Sequence, residues 1–389
     1  MLRFLTALLI ISAISPLYSQ QYLALHQSAV VADGHNDILY RVMSGGEMES
    51  RAEKGHSDLP RFREGGMDIQ LFSIWVPSNK TGDDAWRFAL DEIDSLKAIA
   101  ARNPASMLLA LRAEDIETAV SHGKLAAVVA LEGGRCIDGK RDRILELYQR
   151  GMRCFGLTWN FSSDWATCSK DESEGKVKGG LSDKGKSFVR LLDSLGVIID
   201  LSHLGERSFW DVAAISVHPL YASHSSCKVL RDHNRNLTDD QLRAVAKSNG
   251  VVMINYFPGF IVSNMNGKFI ERQRVYEKRA AALKQKHAKR GPAYLKEYDK
   301  LVATAKKENL CTIYDVIAHI DHAVKIAGSE HVGLGSDFDG INLTPIGLND
   351  VTDLPMITRI LLQKGYSEAQ IRGILGGNFL RLWHRTVKQ

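Results

Sequence analysis

"VVADGHNDIL", residues 30–39, decides the reading of this 389-residue chain. Small and apolar residues that suit a buried strand run directly into Asp-Gly-His-Asn-Asp. His35 and Asp37 stand two apart, so on an extended backbone both side chains leave one face and can reach one cation. Taken alone, the same stretch also suits a polar turn that closes a strand. The rest of the chain decides between them.

Working outward, strand-like runs fall at 28–34, 67–76, 125–132, 154–159, 197–203, 219–224, 251–257 and 331–337. Most are continuously apolar, as parallel strands buried on both faces should be. Amphipathic segments such as "DDAWRFALDEIDSLKAIAARN" and "TIYDVIAHIDHAVKIAG" alternate with them, several opening on Ser, Thr or Asp and stopping at Gly. Eight such units predict an α/β protein, a single (β/α)8 TIM-type barrel over residues 21–389. A doubly wound open sheet is the alternative. Residues 261–310 predict a helical insertion before the last strand, a pair of helices broken at Gly291-Pro292. That segment carries 13 Lys/Arg against 5 Asp/Glu in a chain of net charge +5, and is read as a solvated insertion. Nothing resembles a nucleic-acid-binding module.

Residues 1–20, "MLRFLTALLIISAISPLYSQ", place one arginine before an apolar run and then small and polar residues. This is the pattern of a secretory signal peptide cut near Ser19, too short and wrongly flanked for a stable membrane span. The expectation is an exported protein, periplasmic or secreted, for which a homodimer is an open assembly state. The five cysteines form no CxxC pair, which removes zinc-finger and thioredoxin readings. Cys136 and Cys168 follow neighbouring strands, so a bond between them is the pairing to check, and the strict geometry of a disulfide weighs against it.

The ionisable residues at the strand ends form a set. The first run ends in "DGHND" (His35, Asp37), the third in "LEGG" (Glu132), the fifth in "IDLSH" (His203), the sixth in "SHSS" (His224) and the eighth in "GLGSDFDG" (Asp337, Asp339). Singly, each suits an ordinary turn or a satisfied histidine. In a barrel they converge on the C-terminal mouth, where such folds carry their active sites. His26, His56, His122 and His384 fit no strand end and are read as surface residues. Imidazole and carboxylate suit zinc, and a metal pair needs a carboxylate to bridge it. His35 and Asp37 would hold one ion, His203 and His224 the other, with Glu132 between. Two such ions can share a water and lower its pKa toward neutrality. Asp337 is then placed to take the proton and pass it to a leaving amine.

The pieces "DGHND", "LEGG", "IDLSH", "SHSS", "RNLTDDQL" and "GLGSDFDG", in this order across nearly the whole chain, resemble the renal (membrane) dipeptidase family of the amidohydrolase superfamily. The resemblance implies a (β/α)8 barrel with two zinc ions that cleaves dipeptides. It implies His35, Asp37, Glu132, His203 and His224 as metal ligands, Arg235 as the group that grips the substrate's C-terminal carboxylate, and Asp337 as the active-site aspartate. A planar guanidinium suits that carboxylate through two parallel hydrogen bonds. One departure stands out. Where better-known members carry a substrate-contacting histidine, "GLTWNF" has Trp159, which offers only an indole N–H. Oxyanion help would then come from zinc, from Asn160 or from that N–H, and Tyr40 also suggests a reshaped pocket. Rival readings are a two-metal amidohydrolase for another carboxylate-bearing amide, such as an N-acyl amino acid or lactam, and a non-catalytic binding protein on the same barrel.

Overall fold

Nine parallel strands appear among the described residues of the computed structural model, which covers 21–177, 179–287 and 290–388. They are β1 (Ala32–Asn36), β2 (Ile69–Trp75), β3 (Met107–Leu109), β4 (Leu125–Glu132), β5 (Met152–Gly156), β6 (Ile198–Asp200), β7 (Tyr221–Ala222), β8 (Val251–Ile254) and β9 (Val332–Leu334). Eight of them close a barrel in the order β1-β2-β4-β5-β6-β7-β8-β9, with β9 returning to β1 through Asp33 and Leu334. The extra strand, β3, pairs with Leu125–Ala127 at the lower half of β4, while β5 takes the upper half. The sequence of β3, Met-Leu-Leu, is apolar, but the strand is three residues long and only partly buried, too short to stand out from the helical segments on either side.

The strands are buried on both faces, as the unbroken burial of β4 shows. Because side chains alternate, Leu71 and Ser73 of β2 share a face with Val128, Ala130 and Glu132 of β4. That alternation carries Glu132 to the top of the barrel, where Ser73 Oγ donates to it at 3.3 Å.

β1 breaks the regular pattern. Its register with β2 shifts between Asp33 and Asn36, a bulge-like irregularity of the kind that re-aims a side chain beside a site. The strand then ends at Asn36, and Asp37 sits at the N-cap of the helix Ile38–Met43 with φ −95° and ψ 21°. His35 and Asp37 therefore do not share a face of one extended strand. A turn brings them together instead, with Asp37 N donating to Phe338 O at 2.9 Å.

Between β8 and β9 the chain forms the helices Gly267–Lys286 and Pro292–Lys307 before returning through Ile313–Ala327. The Gly291-Pro292 pair starts the second of these, proline supplying a fixed φ at the first helical position. The signal-peptide reading falls on residues 1–20, outside the described residues. No helix among the described residues is long and apolar enough to cross a membrane.

All five cysteines are free and buried. Cys136 and Cys168 are not bonded to each other: Cys136 lies in the 3-10 turn Gly134–Ile137, whereas Cys168 Sγ caps the helix Ser169–Ser173 by accepting from Asp171 N at 3.5 Å.

Candidate metal centre

Strand ends deliver the site. His35 leaves β1, Glu132 ends β4, and His203, His224 and Asp337 follow β6, β7 and β9 within a few residues. Glu132 stands at the centre, and its two oxygens face different partners. Oε2 lies 3.4 Å from His35 Nε2, while Oε1 lies 2.9 Å from His203 Nε2 and 3.6 Å from His224 Nε2. Asp37 Oδ2 adds a second carboxylate 3.3 Å from His35 Nε2. His203 and His224 bring their Nε2 atoms to 3.0 Å of one another.

Neighbouring groups fix which nitrogens face inward. Ser223 Oγ donates to Asp200 Oδ2 at 2.5 Å, so toward His224 Nδ1, 2.6 Å away, it can only accept. The proton of His224 is thereby held on Nδ1, and Nε2 presents a lone pair to the centre. Asn160 Oδ1 does the same for His203 Nδ1 at 3.0 Å. Asn160, expected from the sequence as an oxyanion donor, thus has its side-chain oxygen committed to orienting His203.

The electrostatics divide the histidines: burial would lower His35, but the carboxylates of Glu132 and Asp37 outweigh it and raise His35 well above the usual histidine range, so it carries a proton that a metal ion would displace. Burial, with Arg235 adding, holds His203 down to about 4, and burial together with His35 holds His224 well below the usual histidine range. Both are neutral imidazoles, the form that binds a cation. Burial alone would raise Glu132, but the positive charge of His35 beside it outweighs that and holds the carboxylate well below its usual range. Burial pushes Asp337 up to about 7, with His35 opposing and Asp37 and Glu132 adding.

The donor set fits a metal. His35 Nε2 and Asp37 Oδ1 are buried without a hydrogen-bond partner, a costly state that a cation relieves. The ligating atoms of His35, Glu132 and His224 lie within 4.8 Å of one another, as do those of His35, Asp37 and Asp337. The backbone is strained here as well: His203 and Asp337 hold φ of 69° and 62° in the left-handed region. Gly340 leaves this corner clear for the carboxylates, since a Cβ there would lie 2.0 Å from Asp37 Oδ2 and 2.7 Å from Asp337 Oδ1 and force them to shift.

A cavity of about 410 Å³ opens over this centre and includes Asp37, Glu132, Trp159, Asn160, His203, His224, Arg235 and Asp337 in its wall. Arg235 is 5 % exposed; its Nη2 donates to His224 O at 3.3 Å, and its Nε has no partner. Trp159 belongs to an aromatic wall, packing edge-on against Trp75 at 5.1 Å, which in turn meets Tyr40 at 4.9 Å.

Several supporting residues were not singled out from the sequence. Asn255 Nδ2 donates to Asp337 Oδ2 at 2.9 Å, and Asp33 accepts from Ser336 N and Oγ, each at 2.6 Å, beneath the site. Asp33 and Asp200 sit inside the very motifs that carry His35 and His203, which was the available signal. Asp339, expected at the mouth, accepts from Arg41 Nε and His56 N at 3.0 Å each and so anchors the loop after β1. Two histidines read as surface residues are not. His26 is buried between Gly65 O and Thr358 Oγ1, and half-buried His56 accepts from Asp339 N through Nδ1. His122 and His384 are exposed.

Residues 19–389 match the model of the membrane dipeptidase family, Peptidase family M19. Among solved structures, the chain is 26% identical to the probable dipeptidase PvdM from Pseudomonas aeruginosa, with TM-score 0.76, covering 95% of this chain and 98% of that one. It is 25% identical to a metallo peptidase from Rhodobacter sphaeroides liganded with a phosphinate mimic of the dipeptide L-Ala-D-Ala, with TM-score 0.74 and coverage of 92% and 99%. The metallo peptidase described as dipeptidase AC is also 25% identical, with TM-score 0.74 and coverage of 93% and 100%. The chain belongs to the membrane dipeptidase family and is a metal-dependent dipeptidase.

Proposed function

We propose that the chain hydrolyses dipeptides at a pair of zinc ions, one held by His35 and Asp37 and the other by His203 and His224, with Glu132 shared between them. The observation that carries this reading is the division of the Glu132 carboxylate, with Oε2 toward His35 and Oε1 toward His203 and His224. Zinc bound there supplies Lewis acidity toward the scissile carbonyl and a water of lowered pKa.

The remaining work falls to the chain itself. Arg235 receives the substrate's C-terminal carboxylate, its unpartnered Nε being the free arm of a guanidinium otherwise tied to His224 O. Asp337 keeps Oδ2 on Asn255 and holds the proton released from water on Oδ1, from which the leaving amine takes it. Burial places that group near neutrality, where accepting and returning a proton are both accessible. Trp159 and Trp75 form the apolar wall against which the substrate lies.

Elemental analysis of purified protein, paired with hydrolysis of a dipeptide panel, tests the reading. Two zinc ions per chain are expected, with activity lost to chelator and restored by zinc. One ion or none in active, unchelated protein would refute the shared-carboxylate pair while leaving the family's reaction intact. We also propose export with cleavage near Ser19, supported by the pattern of residues 1–20. Terminal sequencing of the mature protein checks it, and an intact Met1 would refute it.

A further inference from the structure

We propose that the chamber beside the metal centre is a subsite for a carboxylate side chain on the N-terminal residue of the substrate, with Arg135 as its anion-binding group. The inference rests on the dipeptidase reading and deepens it by naming a substrate class.

The chamber has a volume of about 620 Å³, larger than the cavity over the histidines, and lies between the loops that follow β4 and β5. The two spaces share Glu132 and Trp159 in their walls. A group entering the chamber therefore passes the same carboxylate that the site histidines face, and Trp159 is the partition between the two. This gives the tryptophan a physical role: its ring shapes a side chamber.

Arg135 occupies the chamber wall three residues after Glu132, in the short turn Gly134–Ile137. It is half-buried, and its guanidinium rests over the Phe161 ring at 5.4 Å, a contact that holds its orientation without using its N–H groups. Among the described residues its side chain makes no hydrogen bond and no ion pair. Of the three acids in the same wall, Glu132 faces the site histidines, Asp138 pairs with Lys140 at 3.1 Å and Asp164 with Lys184 at 2.5 Å. One uncompensated cation with its donors free is left facing a space beside the catalytic centre. Planar carboxylate recognition is what such a fork does best.

The direction of the substrate follows from topology. Arg235 comes from the loop after β7, whereas Arg135 comes from the loop after β4, three barrel positions away. A dipeptide with its terminal carboxylate on Arg235 and its peptide carbonyl at the histidines extends its N-terminal residue away from Arg235. The side chain of that residue is the one that reaches the chamber.

The test compares kcat/KM for Glu-Ala, Gln-Ala, Ala-Glu, Ala-Gln and Ala-Ala in wild-type protein, Arg135→Met and Arg135→Lys, with zinc supplied throughout. Glutamate and glutamine are matched in shape, so their ratio within each protein isolates charge, and a general loss of activity or of folded protein cancels. Wild type is expected to prefer Glu-Ala over Gln-Ala by about tenfold or more, as a charge-assisted contact should. Arg135→Met should bring the ratio to about one, and Arg135→Lys should restore part of it. Equal rates for Glu-Ala and Gln-Ala in wild type, or a preference that survives in Arg135→Met, would overturn the subsite and leave the dipeptidase reading standing. An Arg135-dependent preference seen only for Ala-Glu over Ala-Gln would overturn the assignment to the N-terminal residue. Failure to cleave any of the five dipeptides would overturn both.

Discussion

Replacing Arg235 by alanine separates substrate recognition from metal chemistry. The guanidinium is almost wholly buried, one arm is tied to His224 O at 3.3 Å, and Nε lacks a partner until a ligand arrives. Burial pulls its pKa down, but the nearby carboxylates of Asp337 and Glu132 resist that, and the group stays charged. A charge-assisted bidentate contact removed from a partly desolvated site costs about 2–4 kcal/mol of transition-state binding. In kcat/KM this is roughly 30- to 900-fold, at about 1.36 kcal/mol per decade. Loss of the bond to His224 O costs about 1 kcal/mol more, but it falls on folding stability and does not distinguish one substrate from another. The informative assay is therefore kcat/KM for free-acid and amidated dipeptides in both proteins. Wild type should discriminate strongly against the amide and Arg235→Ala scarcely at all, with zinc content unchanged because no ligand is touched. Arg235→Lys should recover only part, since an ammonium cannot reproduce the planar fork. The same acid-to-amide preference in wild type and mutant would refute the assignment.

Three other perturbations probe the centre and its surroundings. Glu132→Gln should lower metal content at both positions, because an amide cannot offer an anionic oxygen to each side; full metal content by elemental analysis would refute the sharing of this residue. Asn160→Ala should weaken zinc binding by about 10- to 100-fold, because His203 loses the group that fixes its Nδ1 proton, and competition with a chelator measures it. Glu92 is buried with neither oxygen bonded, and burial raises it well above the usual carboxylate range, with Asp37 and Glu132 adding. The folded state therefore keeps a proton that the unfolded chain releases, so this group's contribution is present below the unfolded pKa of about 4.3 and is lost as pH rises toward the folded value. Glu92→Gln should raise the melting temperature at neutral pH and flatten its fall with pH above about 4.3; an unchanged pH profile would refute this account of Glu92.

The barrel was legible because its strands announce themselves twice, as apolar runs and as polar strand ends. All eight closing strands coincide with the runs expected, with boundaries shifted by a few residues, because a parallel strand buried on both faces has little room for polar residues. What failed was the geometry within the first motif. Strict alternation placed His35 and Asp37 on one face of a continuing strand, whereas the chain bulges after Asp33 and turns into a helix at Asp37. A period-2 argument cannot see a bulge, since the extra residue depends on the partner strand.

The second layer of the site was illegible for a different reason. Asp33, Asp200, Ser223 and Asn255 act by orienting other side chains, as does Asn160, which was expected from the sequence only as an oxyanion donor, and such residue types are common in ordinary turns. Only pairing across the barrel gives them meaning: Asp33 reaches Ser336, and Asn255 reaches Asp337. Metal sites depend on such contacts as much as on their ligands. His203 illustrates the coupling, because its left-handed backbone is held by the surrounding structure while Asn160 on Nδ1 orients the ring. Strain in the backbone and order in the imidazole are thus two sides of one arrangement. A substitution that frees the ring should loosen metal binding before it disturbs the barrel beneath.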